Sequence, residues 1–255
     1  MAFKSLIEWT EATWNPTTGC SKISLGCKNC YAERIALRLQ AAGNPKYKNG
    51  FKLTLHYDEI NKPLFWKESK LIFVNSMSDL FHEDIPFSFI QKIFQTMNKA
   101  YWHIFQVLTK RSKRLKELAP LLSWTPNIWI GVTVETSSYL YRIDDLLEVP
   151  TSSIKFLSLE PLLEEVRGLE DYLKTGHINW VIVGGESGPH ARPIKKDWVK
   201  KIKNLCERYG VAFFFKQWGG KNKKESGRLL DGVEYLQLPP FKKVNKINQK
   251  ALFSA

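Results

Sequence analysis

The feature that most restricts how this chain can fold is a rhythm of short apolar runs, each closed by polar residues and followed by a helical pattern. The runs are LIFVNS (71–76), IFQVLTK (104–110), IWIGVTVE (128–135), IKFLSLE (154–160), INWVIVGGE (178–186) and VAFFFKQ (211–217). They are rich in Val, Ile, Phe and Trp and lack strict alternation, as strands buried on both faces do. Helical patterns over 87–102, 112–122, 137–148 and 196–209 lie between and after them. The last sets Trp198, Ile202, Leu205, Cys206 and Tyr209 on one side and stops at Gly210. Strands alternating with helices imply a mainly parallel sheet with right-handed crossovers. KLTLHY (52–57) reads as a seventh strand and IEWTEATWN (7–15) as an eighth. The expected fold is α/β, a single (β/α) barrel, complete or partly open, with an open doubly wound sheet as the alternative. The barrel domain is placed at residues 1–238 and a basic tail, ordered or not, at 239–255.

Polar residues gather where the runs end: Asn75, Ser76, Ser78 and Asp79, then Thr109, Lys110 and Arg111. Thr133 with Glu135, Ser158 with Glu160, Gly184-Gly185-Glu186 and Lys216-Gln217 follow. In parallel α/β folds the carboxyl ends of the strands form the active-site face. Any one of these residues could be a helix cap; the repetition argues for a site. Lys110 and Arg111 read as a phosphate or carboxylate clamp or, with the charge continued by Lys113, Arg114 and Lys116, as an exposed helix face; function is assigned to Lys110 alone because it directly ends a run.

Charge adds a second expectation. Basic residues exceed acidic ones by 13, and residues 192–255 alone hold 16 basic against 5 acidic side chains. Such a local field favours polyanions such as nucleic acid; a solvated face with a basic tail is the plainer reading. Most tryptophans sit in or beside apolar runs and read as core, with Trp218 in KQWGG the exception to test as a base-stacking platform. No segment approaches a membrane span or a signal sequence, so the cytoplasm is the expected compartment.

Four cysteines in a reducing compartment point to metal or redox chemistry rather than disulfides. Cys20, Cys27 and Cys30 form a C-x6-C-x2-C pattern with Gly19 and Gly26 ahead of the first two. A C-x2-C pair turns two sulfurs toward one centre, and the longer reach returns a third. YAERIALRLQAAG follows as a helix whose N-terminal dipole faces the motif. Three thiolates without a fourth ligand suit a [4Fe–4S] cluster with one open iron, with zinc as the alternative metal. His82 and His190 are further candidate ligands, while Cys206 reads as core.

Three close cysteines leading into a helix at the start of an α/β barrel resemble the radical S-adenosylmethionine enzymes. VLTKRS (107–112) is similar to the fourth-strand threonine–lysine segment of their spore photoproduct lyase-like branch. The phrases TWNPTTGCSKISLGCKNCYAER, SMSDLFHEDIP, GVTVE, FLSLEPLL, VGGESGPHARP and KQWGG resemble a family of phage- and prophage-encoded proteins, over roughly residues 8–220. The chain departs from the usual radical pattern in three ways. Six residues rather than three separate its first two cysteines, Asn29 stands where an aromatic commonly precedes the last, and its Gly-Gly-Glu lies near the seventh strand.

The resemblance implies a [4Fe–4S] cluster on Cys20, Cys27 and Cys30 and S-adenosyl-L-methionine held near Tyr31, Ser78, Asp79, Gly184, Gly185 and Glu186. Lys110, Glu135 and Glu160 would act at the reacting centre, on a nucleic-acid or nucleotide substrate, with a reductant protein as electron donor. The competing classes are a non-catalytic nucleic-acid-binding protein with a structural zinc or cluster centre, and a zinc hydrolase.

Overall fold

The computed structural model describes residue 5 and residues 7–244. Its elements run β1 (Ala12–Trp14), β2 (Thr17–Thr18), α1 (Tyr31–Ala41), β3 (Thr54–Leu55), β4 (Leu71–Val74), α2 (Phe87–Lys99), β5 (Ile104–Thr109), α3 (Ser112–Leu118) and β6 (Ile128–Thr133). They continue as α4 (Tyr141–Leu147), β7 (Lys155–Leu159), α5 (Leu169–Leu173), β8 (Trp180–Gly184), α6 (Lys196–Arg208), β9 (Ala212–Gln217) and α7 (Lys223–Ser226). All six expected runs are strands, and the four expected helices form with trimmed ends; α5, only five residues long, carries too little periodicity to foresee.

Seven strands pair in parallel in the order β1-β4-β5-β6-β7-β8-β9. IEWTEATWN thus supplies a sheet strand through Ala12–Trp14. KLTLHY does not: only Thr54–Leu55 is extended, and it pairs antiparallel with β2 in a separate two-stranded ribbon. The reason is competition for one edge. The free side of β4 is taken by β1, with Trp14 opposite Val74, so no place remains there for a second strand.

The sheet is curled into a half-barrel, as the contacts of Trp9 require. In a flat sheet β4 and β8 would lie about 19 Å apart, four strand spacings. Yet the Trp9 ring lies 4.6 Å from Phe73 on β4 and 5.9 Å from Trp180 on β8. Strand alternation then sorts the side chains. Ile72, Val74, Phe105, Val107, Ile130, Leu157, Val181 and Phe213 face the helices in the large outer core. Phe73, Trp129, Phe156, Trp180 and Phe214 point inward and fill the floor of the half-barrel around Trp9. Continuing the same alternation toward the carboxyl ends brings Lys110, Thr133, Glu135, Glu160 and Lys216 to the inner mouth.

The β9 edge of the sheet is covered. Residues 235–237 run antiparallel along β9, with Phe215 N–H donating to Tyr235 O and Gln237 N–H to Phe213 O. The chain then crosses the floor, where Phe241 packs on Trp129 at 5.4 Å and Lys243 pairs with Glu11 at 2.6 Å. The remainder of the expected basic tail, residues 245–255, lies outside the described residues. Among the described residues no helix is long and apolar enough to cross a membrane.

Candidate functional site

The segment from Cys20 to Cys30 lies across the carboxyl ends of the strands as a loop with almost no core of its own, closing into a single 3-10 turn at Leu25–Cys27. Polar anchors hold it instead. Gly19 opens the loop with φ +82°, and a side chain there would run into Lys52 O at 2.2 Å, so only glycine fits. Cys20 N–H donates to Phe51 O at 3.1 Å. The Arg111 guanidinium then grips the first thiol: Nη1 lies 3.4 Å from Cys20 Sγ, and Nη2 donates to Ser21 Oγ and O at 2.8 and 3.1 Å. Asp84 N–H donates to His82 Nδ1, so His82 Nε2 carries the proton that it donates to Ser21 Oγ at 2.9 Å.

Arg111 is itself fixed. It is 5% exposed, pairs with Asp79 at 3.3 Å and donates from Nε to Glu83 at 2.7 Å. Asp79 also accepts from Thr109 Oγ1 at 2.7 Å, from Phe81 N–H and from Lys110 N–H. Every lone pair of this buried carboxylate is therefore spent on the fold.

The middle of the loop hangs on β6. Ser24 Oγ donates to Glu135 Oε1 at 2.5 Å and lies 3.4 Å from Cys27 Sγ. Glu135 is fully buried and ion-paired with Arg142, itself 1% exposed, at 2.8 Å. The Arg142 guanidinium also stacks 4.1 Å from the Tyr139 ring, whose hydroxyl accepts from Leu25 N–H. Gly26 passes so close that a Cβ would lie 2.5 Å from Glu135 Oε1.

The end of the loop hangs on β8. Asn29 Nδ2 donates to Glu186 Oε2 at 2.9 Å and to His190 O at 2.8 Å. Arg192 donates from Nε to Glu186 at 2.9 Å and from Nη2 to Leu25 O at 2.9 Å. Burial alone would raise the Glu186 pKa, but Arg192 and Asn29 outweigh it and hold the carboxyl below its ordinary value. A folded-state pKa below the unfolded one stabilises the protein above the ordinary carboxylate range, and that contribution is lost as pH falls through the depressed value. The melting temperature followed from about pH 6 to about pH 3 should therefore fall more steeply in wild type than in Glu186→Gln; parallel curves would refute the clamp.

α1 begins directly after Cys30, and Tyr31 OH donates to Ser76 O at 2.6 Å. Cys20, Cys27 and Cys30 are all free and half-buried. Burial and then the charge of Asp79 push the Cys20 thiol up to about 11 against the pull of Arg111. Burial acts the same way on Cys27, but Lys110 and the Ser24 hydroxyl prevail and lower it. Lys110 Nζ stands 4.0 Å from Glu135 and 3.4 Å from Thr133 Oγ1. Across the mouth, Lys216 donates to Glu160 at 2.6 Å.

The sequence-derived candidates thus divide by task. Glu135, Asp79 and Glu186 are anchors of the loop. Ser78 exchanges hydrogen bonds with Thr17, Oγ to Oγ1 at 2.7 Å and Oγ to O at 2.9 Å, and belongs to the wall. Gly185 is demanded by packing, since a Cβ would lie 1.9 Å from Trp218 O, and Gly184 abuts the Glu160 side chain. Lys110 and Glu160 keep part of their side chains open at the mouth. Trp218 is half-buried: its ring packs on Phe215 at 4.7 Å and its N–H donates to Leu229 O. Cys206 is core, as expected. Arg142, Arg192 and Asn29 escaped sequence reasoning, and Arg111, grouped in sequence with an exposed helix face, is instead buried under the loop. In strand alternation Arg111 falls on the helix-facing side after Lys110, and no local pattern announces that the cysteine loop folds back over it.

As a donor set, the loop offers three free thiols of one sequence segment beside two cations, Lys110 and Arg111, which favour a thiolate-bound, negatively charged centre. Among the described residues no group of three or more His, Cys, Asp and Glu side chains is gathered as a metal site. His82, the nearest candidate for a fourth ligand, has both ring nitrogens engaged, which does not suit the closed four-ligand shell of structural zinc.

A parallel α/β half-barrel with a three-thiol loop pinned across its carboxyl mouth is the class that the fold and site define. The chain belongs to the family described as a protein of unknown function, DUF5131, whose model matches residues 4–239. No curated protein matches the sequence. The fold is similar to that of spore photoproduct lyase: a double mutant with bound AdoMet and dinucleoside spore photoproduct aligns with a TM-score of 0.55 at 10% identity. A single mutant of the same enzyme with the dinucleoside spore photoproduct aligns at 0.54 and 10%. Each alignment covers 82% of this chain and 75% of the other.

Proposed function

We propose that this chain is a radical S-adenosylmethionine-type enzyme that holds a [4Fe–4S] cluster on Cys20, Cys27 and Cys30 and acts on nucleic acid or a nucleotide. The observation that carries the reading is the cysteine loop: three free thiols fastened from the ends of β4, β5, β6 and β8 over an inward-facing ring of charge. The likeness in fold to an enzyme solved with AdoMet and a dinucleoside lesion supports it.

When bound, the cluster supplies one electron for reductive cleavage of a sulfonium. The protein's residues do the rest. Arg111 keeps an N–H and a positive charge beside the Cys20 sulfur, and Asp79 and Glu83 keep Arg111 there. Glu135 and Glu186 hold the two halves of the loop in register. Lys110 and Glu160, charged and partly open at the mouth, are placed to bind the carboxylate and amine of a zwitterionic cofactor or the polar groups of a substrate. The aromatic floor around Trp9 excludes water beneath them. The electron comes from a separate reductant protein, and a centre that needs reduction suits the cytoplasm.

The test is iron, zinc and sulfide content with the absorbance spectrum after strictly anaerobic purification. About four irons and four sulfides per chain are expected in wild type and none in Cys27→Ala. One zinc without sulfide would overturn the reading in favour of a structural or hydrolytic zinc protein. With the cluster present, dithionite-dependent release of 5′-deoxyadenosine from S-adenosylmethionine is the expected activity.

A further inference from the structure

Part of the basic excess of the last quarter is held in ion pairs. On α6, which carries 5 of the 16 basic side chains of residues 192–255, every lysine is ion-paired. Lys196 and Lys200 pair with Asp231, Lys201 with Glu165 and Lys203 with Glu207. A second basic segment, residues 20–52, holds 7 basic side chains and 1 acidic one, Glu33, which pairs with Lys22. Among the described residues no carboxylate pairs with Lys28, Arg34 or Arg38, and all three are exposed.

Tertiary structure brings this segment against the loop that follows β8. Arg34 Nη1 lies 3.4 Å from Ser187 O, and its guanidinium lies over Gly188, where a Cβ would come within 1.8 Å of it. Asn29 donates to His190 O, and Arg192 to Leu25 O. Arg34 and Arg38 are one helical turn apart on the exposed side of α1, with Lys28 ahead of them in the cysteine loop. His190 and Lys195 stand exposed on the other bank. Uncompensated positive charge therefore borders the loop that carries the thiols, whereas the lysines of α6 are held in ion pairs. A rim of unpaired Arg and Lys matches the spaced phosphates of a polynucleotide, since each neutralised phosphate releases counterion.

We propose that the rim formed by Lys28, Arg34 and Arg38 with the 187–195 loop is the track for a nucleic-acid strand, its phosphates on α1 and one nucleotide presented to the cysteine loop. This inference rests on the nucleic-acid reading of the substrate. It is tested by binding, which requires no turnover.

The experiment is fluorescence anisotropy of the full chain, purified anaerobically, with a labelled mixed-sequence single-stranded DNA of about 20 nucleotides, at several salt concentrations. Two double variants are compared: Arg34→Gln/Arg38→Gln on the rim and Lys200→Gln/Lys201→Gln on α6. The rim variant should weaken binding about tenfold or more and flatten the salt slope by about 1.4, two contacts at about 0.7 each. The α6 variant should change affinity less than about twofold, because its lysines are already paired with carboxylates. Equal losses in both variants, or none in either, would overturn the track while leaving a nucleic-acid substrate in place. No salt-sensitive binding by wild type would overturn both the track and that substrate class. Circular dichroism and metal content of each variant confirm that the fold and loop are intact before binding is compared.

Discussion

Glu135→Ala is expected to cost about 3–5 kcal/mol of folding stability. The reason is the partner left behind. Arg142 is 1% exposed and meets Glu135 at 2.8 Å, so removing the carboxylate strands a guanidinium that water cannot reach. Its remaining hydrogen bond, to Thr133 O at 2.7 Å, does not offset the charge. The same substitution frees Ser24, and with it the turn that carries Cys27. Two measurements check this: chemical unfolding, and the rate at which Cys27 reacts with an alkylating reagent, which should rise. Glu135→Gln should lose less, since an amide oxygen in the Oε2 position still accepts from Arg142 while the amide NH2 in the Oε1 position can donate to the Ser24 hydroxyl. A loss below about 1 kcal/mol for the alanine variant would show that the buried pair is not a determinant of the fold.

Trp9→Ala should be comparably damaging, about 3–5 kcal/mol, for an apolar reason. Trp9 is 4% exposed and joins β4 to β7 and β8 through Phe73, Phe156 and Trp180. Without it the concave face of the half-barrel encloses a cavity that a rigid sheet closes poorly. Trp9→Phe keeps much of the ring and should recover a large share of the loss. If the alanine variant unfolds at the wild-type denaturant midpoint, the floor is not what holds the curl.

Much of this molecule is legible in its sequence, for definite reasons. Strands buried on both faces must be apolar throughout, so the runs from Leu71 to Gln217 announce themselves. The polar residues ending them mark the carboxyl face because a parallel sheet has only one such end. The three cysteines are conspicuous because their spacing lies within a single loop. Where reading failed, a distant partner decided. KLTLHY has strand composition, but β1 already occupies the edge it would need.

The division between the two levels follows the range of the forces involved. Periodicity, turn chemistry and the C-x6-C-x2-C motif act within a few residues, so the sequence by itself determined an α/β parallel architecture and a three-thiol loop at its mouth. The roles of the charged residues were decided only by the tertiary structure. Asp79, Glu135 and Glu186 look alike in sequence to Lys110 and Glu160, as polar residues closing apolar runs. Ser24 meets Glu135 across 111 residues, Arg111 meets Cys20 across 91, and Asn29 meets Glu186 across 157. A carboxylate whose lone pairs are all taken by such partners is part of the scaffold, and one left partly open can meet a ligand. No local pattern records which of the two it is, because burial is a property of the assembled fold.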